Sequence, residues 1–402
     1  MDKKTLPDGW LVKPMTEVVT WSSGGTPKAT EKSYYENGTI PWLVIGDLND
    51  GLVTKAQTKI TDAGLTNSNA KMIPPNTLLV AMYGSIGKLG VTGMPCCTNQ
   101  AIAYAKELHG VTTKYMFYYL SLMKPTLISL GKGGTQKNIS LTVLKSLNVT
   151  VPPFDEQFRI VAHIEELFSE LDKAVDTLKT TKEQLTVYRQ AVLKEIFDSV
   201  STTSVHIKDV CLDIKVGIVI KPTQYYVSEN GVPAFRNANV RRGYINDTDW
   251  VMISKEGHQQ NCRSEVHTND VLISRSGANL GMASVVPARY NGYNAIDVVI
   301  AVPDMSKVIP EFLAQYTNSP MGRAIVKKNE RGAAQGHLNV SAYANLPIGV
   351  PDLQEQEKLV KQISDRLSVC DSIEKTVDTA LAQADAMRQS ILKQAFEAEK
   401  KV

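Results

Sequence analysis

The glycine-rich segment Gly84-Ser85-Ile86-Gly87-Lys88-Leu89-Gly90 has the residue types of a phosphate-binding loop. A nucleotide-binding loop needs a glycine five residues before its Gly-Lys pair and Ser or Thr after the lysine, where this chain has Met82 and Leu89. The spacing therefore argues against nucleotide binding. The glycines instead predict a tight turn after a strand, and a backbone cradle for a DNA phosphate is the alternative. Under that alternative, Gly84, Ser85 and Lys88 are the candidate contacts.

The side chains that most often perform catalysis occur here without the necessary companions. The six histidines show no metal-ligand spacing, and Cys96-Cys97 lies in a turn-like segment without a plausible base. Val151-Pro152-Pro153-Phe154 is similar to the Asn/Asp-Pro-Pro-Tyr/Phe motif of amino-methyltransferases, but Val151 replaces the acceptor side chain, and the start of a helix is the better interpretation. We therefore predict inert thiols, no metal site and no catalytic residue in this chain.

Two polar loops occupy equivalent places, just before the last strand of each half of the chain. They are segments 131–138 and 329–337, and both are rich in glycine, amide and cationic residues. Such donors suit phosphate oxygens and base edges, so we predict DNA contact here, with a plain solvent-exposed loop as the alternative. The candidate contact residues of the two loops are Lys132, Thr135, Gln136, Lys137, Asn138, Arg331, Gln335 and His337.

A run of Arg and Asn in the second half of the chain has the side chains that recognise guanine and adenine. Its members are Arg236, Asn237, Asn239, Arg241 and Arg242, and Arg275 is a further candidate. The aligned residues of the first half are Val44, Ile45, Asp47, Asn49 and Asp50. If these positions contact bases, the two halves must recognise different sequences, with about 1 to 3 kcal/mol of discrimination per bidentate contact. A solvated, charged strand edge is the alternative.

The elements that position these residues are built twice along the chain. Residues 136–197 recur at a constant offset of 199, which places Gln136 on Gln335 and Arg189-Gln190 on Arg388-Gln389. The preceding regions agree more loosely, at offsets of 192 to 194. The protein is therefore a tandem duplication, and each half has a constant part and a divergent part.

The constant part of each half has the pattern of a long helix. Apolar residues recur mostly at steps of three and four from 160 to 196 and from 359 to 395, without internal Pro or Gly. A narrow apolar stripe on so long a helix needs a partner, and we expect the two copies to pair as an antiparallel coiled coil, although the stripe could also serve an external subunit. The candidate stripe residues are Ile164, Leu171, Leu178, Leu185, Ile363, Cys370, Val377 and Ala384.

The divergent parts have the patterns of mixed α/β domains. Short β-prone runs such as 77–82 and 270–274 are bounded by Gly, Pro and Asn, and helices are predicted at 114–123 and 310–318. We predict an α/β (α+β) fold in which two similar globular domains are each followed by a long helix, related by pseudo-two-fold symmetry. The predicted boundaries are 1–152 and 206–350 for the domains, 153–198 and 351–402 for the helices, and 199–205 for the linker.

Composition and charge narrow the class of protein. The chain has 402 residues with 43% hydrophobic residues, and no apolar run approaches the ~20 residues that span a bilayer. Five scattered cysteines cannot form a disulfide framework, so we expect reduced thiols and a cytoplasmic location. Segment 155–198 holds ten acidic and six basic residues, a net charge of −4, and segment 354–397 holds eight acidic and six basic residues, a net charge of −2. Because the whole chain has a net charge of +3, the residues outside these two segments carry +9. Basic domains suit a polyanion, and the helices suit protein partners.

The layout resembles the DNA-specificity subunit of type I restriction-modification systems over nearly the full chain. The resemblance rests on the duplicated architecture together with several motifs. These are Leu6-Pro7-Asp8-Gly9-Trp10, Ser23-Gly24-Gly25-Thr26-Pro27, Ile40-Pro41-Trp42, Gly84-Ser85-Ile86-Gly87, Gly134-Thr135-Gln136-Lys137-Asn138-Ile139, and Val151-Pro152-Pro153 followed by Glu156-Gln157. In the second copy, Gly217-Ile218-Val219-Ile220-Lys221-Pro222 replaces the Gly-Gly-Thr-Pro element.

The resemblance implies a non-catalytic subunit that supplies sequence recognition to enzymes. Each domain would be a target recognition domain for one half of a split, asymmetric sequence in double-stranded DNA, and the helices would fix the spacer between the half-sites. Two modification subunits would methylate adenine N6 and two restriction subunits would translocate and cleave DNA. S-adenosylmethionine, ATP and Mg²⁺ would bind those partners, and this chain would hold no cofactor.

Two alternatives to this function remain. The first is an orphan or phase-variable specificity subunit that acts as a DNA-binding scaffold without active enzyme partners. The second is a stand-alone methyltransferase or nuclease, which would require a methyl-donor loop or an acidic metal cluster that the sequence lacks. An adjacent adenine methyltransferase gene would favour the active complex, and its absence would favour the orphan.

Overall fold

The computed structural model describes residues 7–133, 137–200, 204–328 and 337–397, which form two compact units. Unit 1 combines Met1–Thr177 with Thr379–Val402, and unit 2 is Leu178–Asp378. Both boundaries between the units fall inside the long helices rather than at the helix ends where the sequence-based division has them. The reason is that each long helix contributes its first part to the core of one unit and its last part to the core of the other.

Unit 1 is built on a mixed α/β domain with three sheets. Its strands are β1 (Leu11–Pro14), β2 (Val19–Ser23), β3 (Ile40–Leu43), β4 (Gly51–Val53), β5 (Thr58–Ile60), β6 (Leu78–Ala81), β7 (Leu89–Thr92), β8 (Cys97–Thr98), β9 (Ile102–Leu108) and β10 (Asn148–Val151). Its helices are α1 (Met15–Val18), α2 (Asp62–Thr66), α3 (Thr113–Ser129), α4 (Leu141–Lys145) and the long α5 (Phe154–Asp198), which continues into unit 2. The sheets have the strand orders β2-β9-β6-β7-β4, β5-β3-β8 and β1-β10.

Unit 2 repeats this plan with local changes. Its strands are β11 (Ser204–His206), β12 (Cys211–Val216), β13 (Tyr226–Val227), β14 (Val232–Phe235), β15 (Val251–Ile253), β16 (Val271–Ser274), β17 (Ala283–Val285), β18 (Asn294–Ala295), β19 (Val298–Pro303) and β20 (Pro347–Gly349). Its helices are α6 (Lys255–Gln260), α7 (Pro310–Asn318), α8 (Pro320–Lys328), α9 (Val340–Ala344) and the long α10 (Leu353–Glu397), which ends in unit 1. The strand orders β12-β19-β16-β17, β13-β15-β14-β18 and β11-β20 follow those of unit 1.

The predicted fold class is confirmed, and the elements differ from the predictions at their ends. The strand predicted at 77–82 is β6, and the helix predicted at 310–318 is α7. Helix α3 runs to Ser129, past the end predicted at 123, although Pro125 lies inside it. The buried Leu127 lies beyond this proline, and its packing offsets the backbone hydrogen bond that proline cannot donate. Strand β11 begins within the predicted linker because it pairs with β20.

The long helices α5 and α10 each contain 45 residues, which corresponds to about 68 Å. Seven of the eight predicted stripe residues are buried, and Leu178 is half-buried. Near their C-terminal ends both helices insert a phenylalanine into an aromatic cluster of the unit in which they end. Phe396 packs against Tyr115 and Tyr119 of α3, and Phe197 packs against Phe312 and Tyr316 of α7. Within each unit, therefore, the ends of both long helices complete the hydrophobic core.

Ion pairs between the two helices show that they run antiparallel. In unit 2, Arg189 contacts Asp371 at 2.6 Å, while Glu195, further along α5, pairs with Arg366, earlier on α10, at 3.0 Å. In unit 1 the equivalent pair of Arg189 and Asp371, at the offset of 199, is Arg388 with Asp172. The same interhelical contact is thus made once in each unit, at the offset of the sequence repeat.

A buried glutamine fixes the start of each long helix to its own domain. Gln157 is completely buried, its Oε1 accepts a hydrogen bond from the amide of Thr112 at 2.9 Å, and its Nε2 donates to the carbonyl of Gly110 at 2.8 Å. Gln356 makes the same contacts with the amide of Ile309 and the carbonyl of Lys307, both at 2.8 Å. The glutamine of the repeated Glu-Gln dipeptide therefore has a positioning role.

Candidate nucleic-acid interface

In unit 1 the glycine-rich turn and the described residues of the polar loop 131–138 lie side by side. Gly84 follows β6 with a φ of 64°, a conformation that favours glycine. Its amide donates to the carbonyl of Lys137 at 3.2 Å and to Oδ1 of Asn138 at 3.3 Å. Asn138 in turn exchanges two backbone hydrogen bonds with Lys132. The turn around Gly84 and the loop residues Lys132, Lys137 and Asn138 are therefore one structural cluster, which we call the unit 1 reading loops.

The unit 1 reading loops border an open groove of about 480 Å³ that is rich in lysine. Lys88 is half-buried there, while Ser85 and Lys137 are exposed. Lys88, Lys132 and Lys137 have no ion-pair partner within the part of the chain that the structure describes. Lysines without an ion-pair partner can bind phosphate oxygens as point charges.

Two charged residues of this groove, Asp50 and Lys124, are not among the sequence-based candidates. Lys124 of α3 pairs with Asp50, with 3.0 Å between Nζ and Oδ2, and the Oδ1 atom of Asp50 accepts the amide of Leu89 at 2.8 Å. The two partners are 74 residues apart in sequence, and the predicted helix ended at residue 123. Among the sequence patterns, only the alignment of Asp50 with Arg242 in the second half of the chain singles out this part of the groove.

Unit 2 has an equivalent pair of loops, built from the segment after β16 and the segment before α9. Ser276 and His337 form an isolated antiparallel bridge, and the corresponding residues of unit 1, Tyr83 and Asn138, do the same. Arg275 links the two segments, because its Nε donates to the carbonyl of Leu338 at 3.1 Å. These two segments, which contain Arg275 and Ser276 in one and His337 and Leu338 in the other, are called the unit 2 reading loops.

The Arg275 guanidinium is already engaged within the protein. Its Nη1 lies 3.2 Å from Oδ1 of Asp297, and its side chain is only 17% exposed. Arg275 therefore organises the unit 2 reading loops, and any contact with DNA would use its remaining donors. His337 is exposed beside it.

The two asparagines of the Arg and Asn run, Asn237 and Asn239, hold the loops together. Asn237 accepts the amide of Arg275 at 2.8 Å and donates to Oγ of Ser276 at 2.9 Å. Asn239 is completely buried, accepts the amide of Arg236 at 2.9 Å and donates to the carbonyl of Thr248 at 2.9 Å. A side chain in that position cannot reach a base edge, so Asn239 is removed from the candidate contacts and Asn237 becomes a positioning residue.

The three arginines of the same run differ in their surroundings. Arg236 donates to the carbonyl of Asp249 at 2.6 Å, and its Nε is buried without a partner among the described residues. Arg241 is half-buried and donates to the carbonyl of Val240 at 3.1 Å. Arg242 is exposed and has no ion pair within the described ranges. Although the three arginines are close in sequence, they therefore do not form one contact surface.

Four of the predicted contacts cannot be placed. They are Thr135, Gln136, Arg331 and Gln335, which lie outside the described residues. The two described neighbours of these segments, Lys137 and His337, belong to the reading loops of their units. The prediction for these four residues stays a prediction.

The adjacent thiols of Cys96 and Cys97 are buried. Burial raises the pKa of the Cys96 and Cys97 thiols to about 12, so both stay protonated at neutral pH. Among residues 7–133, 137–200, 204–328 and 337–397, no cluster of His, Cys, Asp and Glu could hold a metal ion. In the same ranges, no helix combines the length and apolarity required to cross a membrane.

Comparisons with known proteins match this duplicated architecture. A family model described as the type I restriction modification DNA specificity domain matches residues 7–187 and again 193–383. The chain is 26% identical to the specificity subunit of the type I restriction enzyme EcoBI of Escherichia coli, over 98% of this chain and 86% of the relative. It is 22% identical to the EcoKI specificity subunit of Escherichia coli strain K12, over 99% and 91%.

Solved structures share the fold at lower sequence identity. One, from work on complex assembly and conformational transition of the type I R-M system, has a TM-score of 0.75 at 18% identity and covers 98% of both chains. The HsdS subunit from Thermoanaerobacter tengcongensis has a TM-score of 0.54, also at 18% identity and 98% coverage of both chains. Because the family model matches both halves of the chain in succession, this protein belongs to the type I restriction-modification DNA specificity family.

Proposed function

We propose that this chain recognises a split, asymmetric DNA sequence, with one half-site for each unit. The observation that carries the proposal is that the same loop framework displays different side chains in the two units. Asn138 of unit 1 corresponds to His337 of unit 2, and Tyr83 corresponds to Ser276. Two frameworks with different hydrogen-bonding groups bind two different base sequences.

Backbone and base contacts divide between two kinds of residue in these loops. Lys88, Lys132 and Lys137 have no ion-pair partner among the described residues and would bind phosphates, which positions the unit without selecting a sequence. The exposed side chains of Asn138 and His337 can donate to or accept from base edges. Sequence preference would therefore depend on these two side chains and on the adjacent loop residues.

The long helices would set the spacer between the half-sites and bind partner proteins. They carry net charges of −4 and −2 over 155–198 and 354–397, so they are poorly suited to DNA and suited to protein contacts. Two modification subunits holding S-adenosylmethionine would dock there, and two restriction subunits using ATP and Mg²⁺ would join them. This chain would contribute recognition, without a cofactor or catalytic group of its own. An adjacent adenine methyltransferase gene would favour this complex over an orphan subunit without enzyme partners.

The experiment is a domain exchange followed by methylation mapping. Residues 206–350 are replaced by the corresponding segment of another family member, and the chain is expressed with its methyltransferase partner. We expect one half-site of the methylated sequence to change, while the other half-site and the spacer stay the same, because each unit has its own reading loops. The matched control replaces 1–152 and should change only the opposite half-site. A change in both half-sites from either exchange would contradict the proposal.

A further inference from the structure

The loop that follows β12 in unit 2 exposes two adjacent apolar side chains. Val219 is 46% exposed and Ile220 is 75% exposed, the highest value for a large apolar side chain among the described residues. The next residue, Lys221, has a φ of 42°, a conformation that residues other than glycine rarely adopt. Backbone strain of this kind persists where the surrounding structure imposes it, and it is common at binding sites. We call Val219 and Ile220 the apolar tip.

The apolar tip leaves unit 2 at the same edge of the sheet as the unit 2 reading loops. Strands β12 and β16 both pair antiparallel with β19, so they run parallel to each other and the loops that follow them leave from one edge. Two contacts also join these loops. The carbonyl of Ile218 accepts the amide of Asp297 at 3.1 Å, and Asp297 in turn pairs with Arg275 at 3.2 Å. DNA bound by the reading loops would therefore lie beside the apolar tip.

The apolar tip borders a groove of about 710 Å³ that carries positive charge. Lys215 and Arg263 line this groove, as does Val340 just after the reading loops, and none of the described residues that line it is acidic. Arg263 and Lys221 are exposed and have no ion-pair partner in the described ranges. An apolar surface flanked by such cations suits a polyanion that also presents apolar groups, and DNA combines phosphates with base edges.

Backbone contacts identify the corresponding loop of unit 1. The amide of Gly217 donates to the carbonyl of Val298 at 2.9 Å. The amide of Gly24 donates to the carbonyl of Ile102 at 3.3 Å. Val298 and Ile102 hold the same place in their sheets, since each pairs with the last residue of the neighbouring strand, β16 or β6. A Cβ atom added to either glycine would also collide with the backbone of a short strand, β18 or β8. The loops that follow the two glycines are therefore equivalent.

The loop of unit 1 is polar, and its groups are engaged within the domain. Thr26 corresponds to Val219, and its hydroxyl donates to the side chain of Gln100. The following residue, Pro27, is buried, and its carbonyl accepts the hydroxyl of Tyr35 at 2.6 Å. The two units therefore display different chemistry at the same place of the same framework.

We propose that Val219 and Ile220 contact thymine methyl groups in the half-site of unit 2, while Lys221 and Arg263 bind adjacent phosphates. The inference rests on the proposed function, because it places the groove of unit 2 against DNA. In the major groove, the C5 methyl of thymine is the apolar group that a base pair presents, so an exposed Val or Ile recognises thymine. Contact between them removes both apolar surfaces from water. We therefore expect at least one A·T pair in the half-site of unit 2.

The test uses the full-length chain and a labelled duplex with the sequence that methylation mapping identifies. In a second duplex, deoxyuridine replaces each thymidine of the half-site that the 206–350 exchange changes, which removes the methyl groups and preserves base pairing. The wild-type chain should bind this duplex about fourfold more weakly for each methyl group that the apolar tip contacts. The double variant Val219→Ser/Ile220→Ser should bind the thymine duplex more weakly and should lose this difference.

The matched protein control is Leu212→Ser. Leu212 is 72% exposed on the same strand, near the end that is opposite to the apolar tip, so this variant should bind both duplexes as the wild type does. The matched DNA control has deoxyuridine in the half-site of unit 1, and it should affect the wild type and the double variant equally. Because all three substituted side chains are exposed, these variants are expected to fold.

The phosphate contacts are tested by the salt dependence of binding. Lys221→Gln and Arg263→Gln should each lower the slope of log affinity against log salt concentration by about 0.9, equally for both duplexes. Lys307→Gln is the control, because Lys307 is exposed and pairs with Asp304 just after β19, at the opposite edge of the sheet. Its slope should match that of the wild type. Wild-type slopes for both Lys221→Gln and Arg263→Gln would overturn the phosphate contacts.

Three results would overturn the methyl contact. The first is an equal effect of deoxyuridine on the wild type and on Val219→Ser/Ile220→Ser, and the second is a unit 2 half-site without an A·T pair. The third is 2-aminopurine fluorescence in that half-site that rises with the wild type and not with the double variant, which would show insertion between base pairs instead. In all three cases the domain exchange still assigns one half-site to each unit. Only an exchange that changes both half-sites would overturn the proposed function itself.

Discussion

At the scale of single residues, buried polar side chains organise this protein as much as its exposed cations do. Gln157 and Gln356 are completely buried, and each connects the start of a long helix to two segments of its own domain. Asn239 has the same role inside a loop. A buried amide with all its partners satisfied is stable, whereas its removal leaves several backbone groups without hydrogen bonds.

The first residue-scale prediction concerns Gln157. Gln157→Ala should lower the free energy of unfolding by about 2 to 4 kcal/mol, because the amide of Thr112 and the carbonyls of Gly110 and Pro152 lose their partner. Urea denaturation measures this change. Gln184→Ala, at an exposed position of the same helix, is the control and should stay within about 0.5 kcal/mol of wild type. Equal effects of the two substitutions would show that the buried hydrogen bonds are unimportant.

The base-contact candidates show what sequence could and could not predict at this scale. The identity of the turn around Gly84 follows from glycine content, because positive φ angles favour glycine. The direction of a side chain does not follow from residue type, and so Asn239 was grouped with Arg242 although one is buried and the other exposed. Contacts such as Lys124 with Asp50 join residues that are distant in sequence, and no local pattern announces them.

At the scale of elements, the long helices were the most predictable part of the fold. Their apolar stripe has a regular period, and burial of Ile164, Leu171, Ile363 and Val377 follows from it directly. The short strands were harder to place, because β13, β8 and β18 contain only two residues each and depend on their neighbours for pairing. The period of the apolar residues therefore predicts the long helices, whereas tertiary contacts determine where the short strands form.

The element-scale prediction uses the repeated ion pair between the helices. A double-mutant cycle on Arg189→Ala and Asp371→Ala should give a coupling energy of about 0.5 to 1 kcal/mol, since Arg189 is 23% exposed and bonds to its partner at 2.6 Å. Arg388→Ala with Asp172→Ala should couple with the same sign. The mismatched pair Arg189→Ala with Asp172→Ala serves as the control and should be additive. Coupling in the mismatched pair alone would contradict the antiparallel register.

At the scale of the whole molecule, the proposed spacer role of the helices can be tested by lengthening them. Seven residues are inserted after Thr180 and after Thr379, which are equivalent positions at the offset of 199. Seven residues preserve the apolar stripe and add about 10 Å, so the spacer of the methylated sequence should grow by about three base pairs. Insertion into only one helix is the control and should disrupt the pairing. An unchanged spacer after the double insertion would contradict the proposal.

Unit 1 is formed from two separate segments of the chain, and this determines the order in which the two units can fold during synthesis. Leu392, Ala395 and Phe396 belong to the same core as Tyr115 and Ile164, although they are translated more than 200 residues later. Unit 2 takes all of its residues from the continuous segment 178–378. All residues of unit 2 are therefore synthesised before the residues that complete the core of unit 1. A nonsense mutation between codons 379 and 392 would damage the core of unit 1, most of which is translated first.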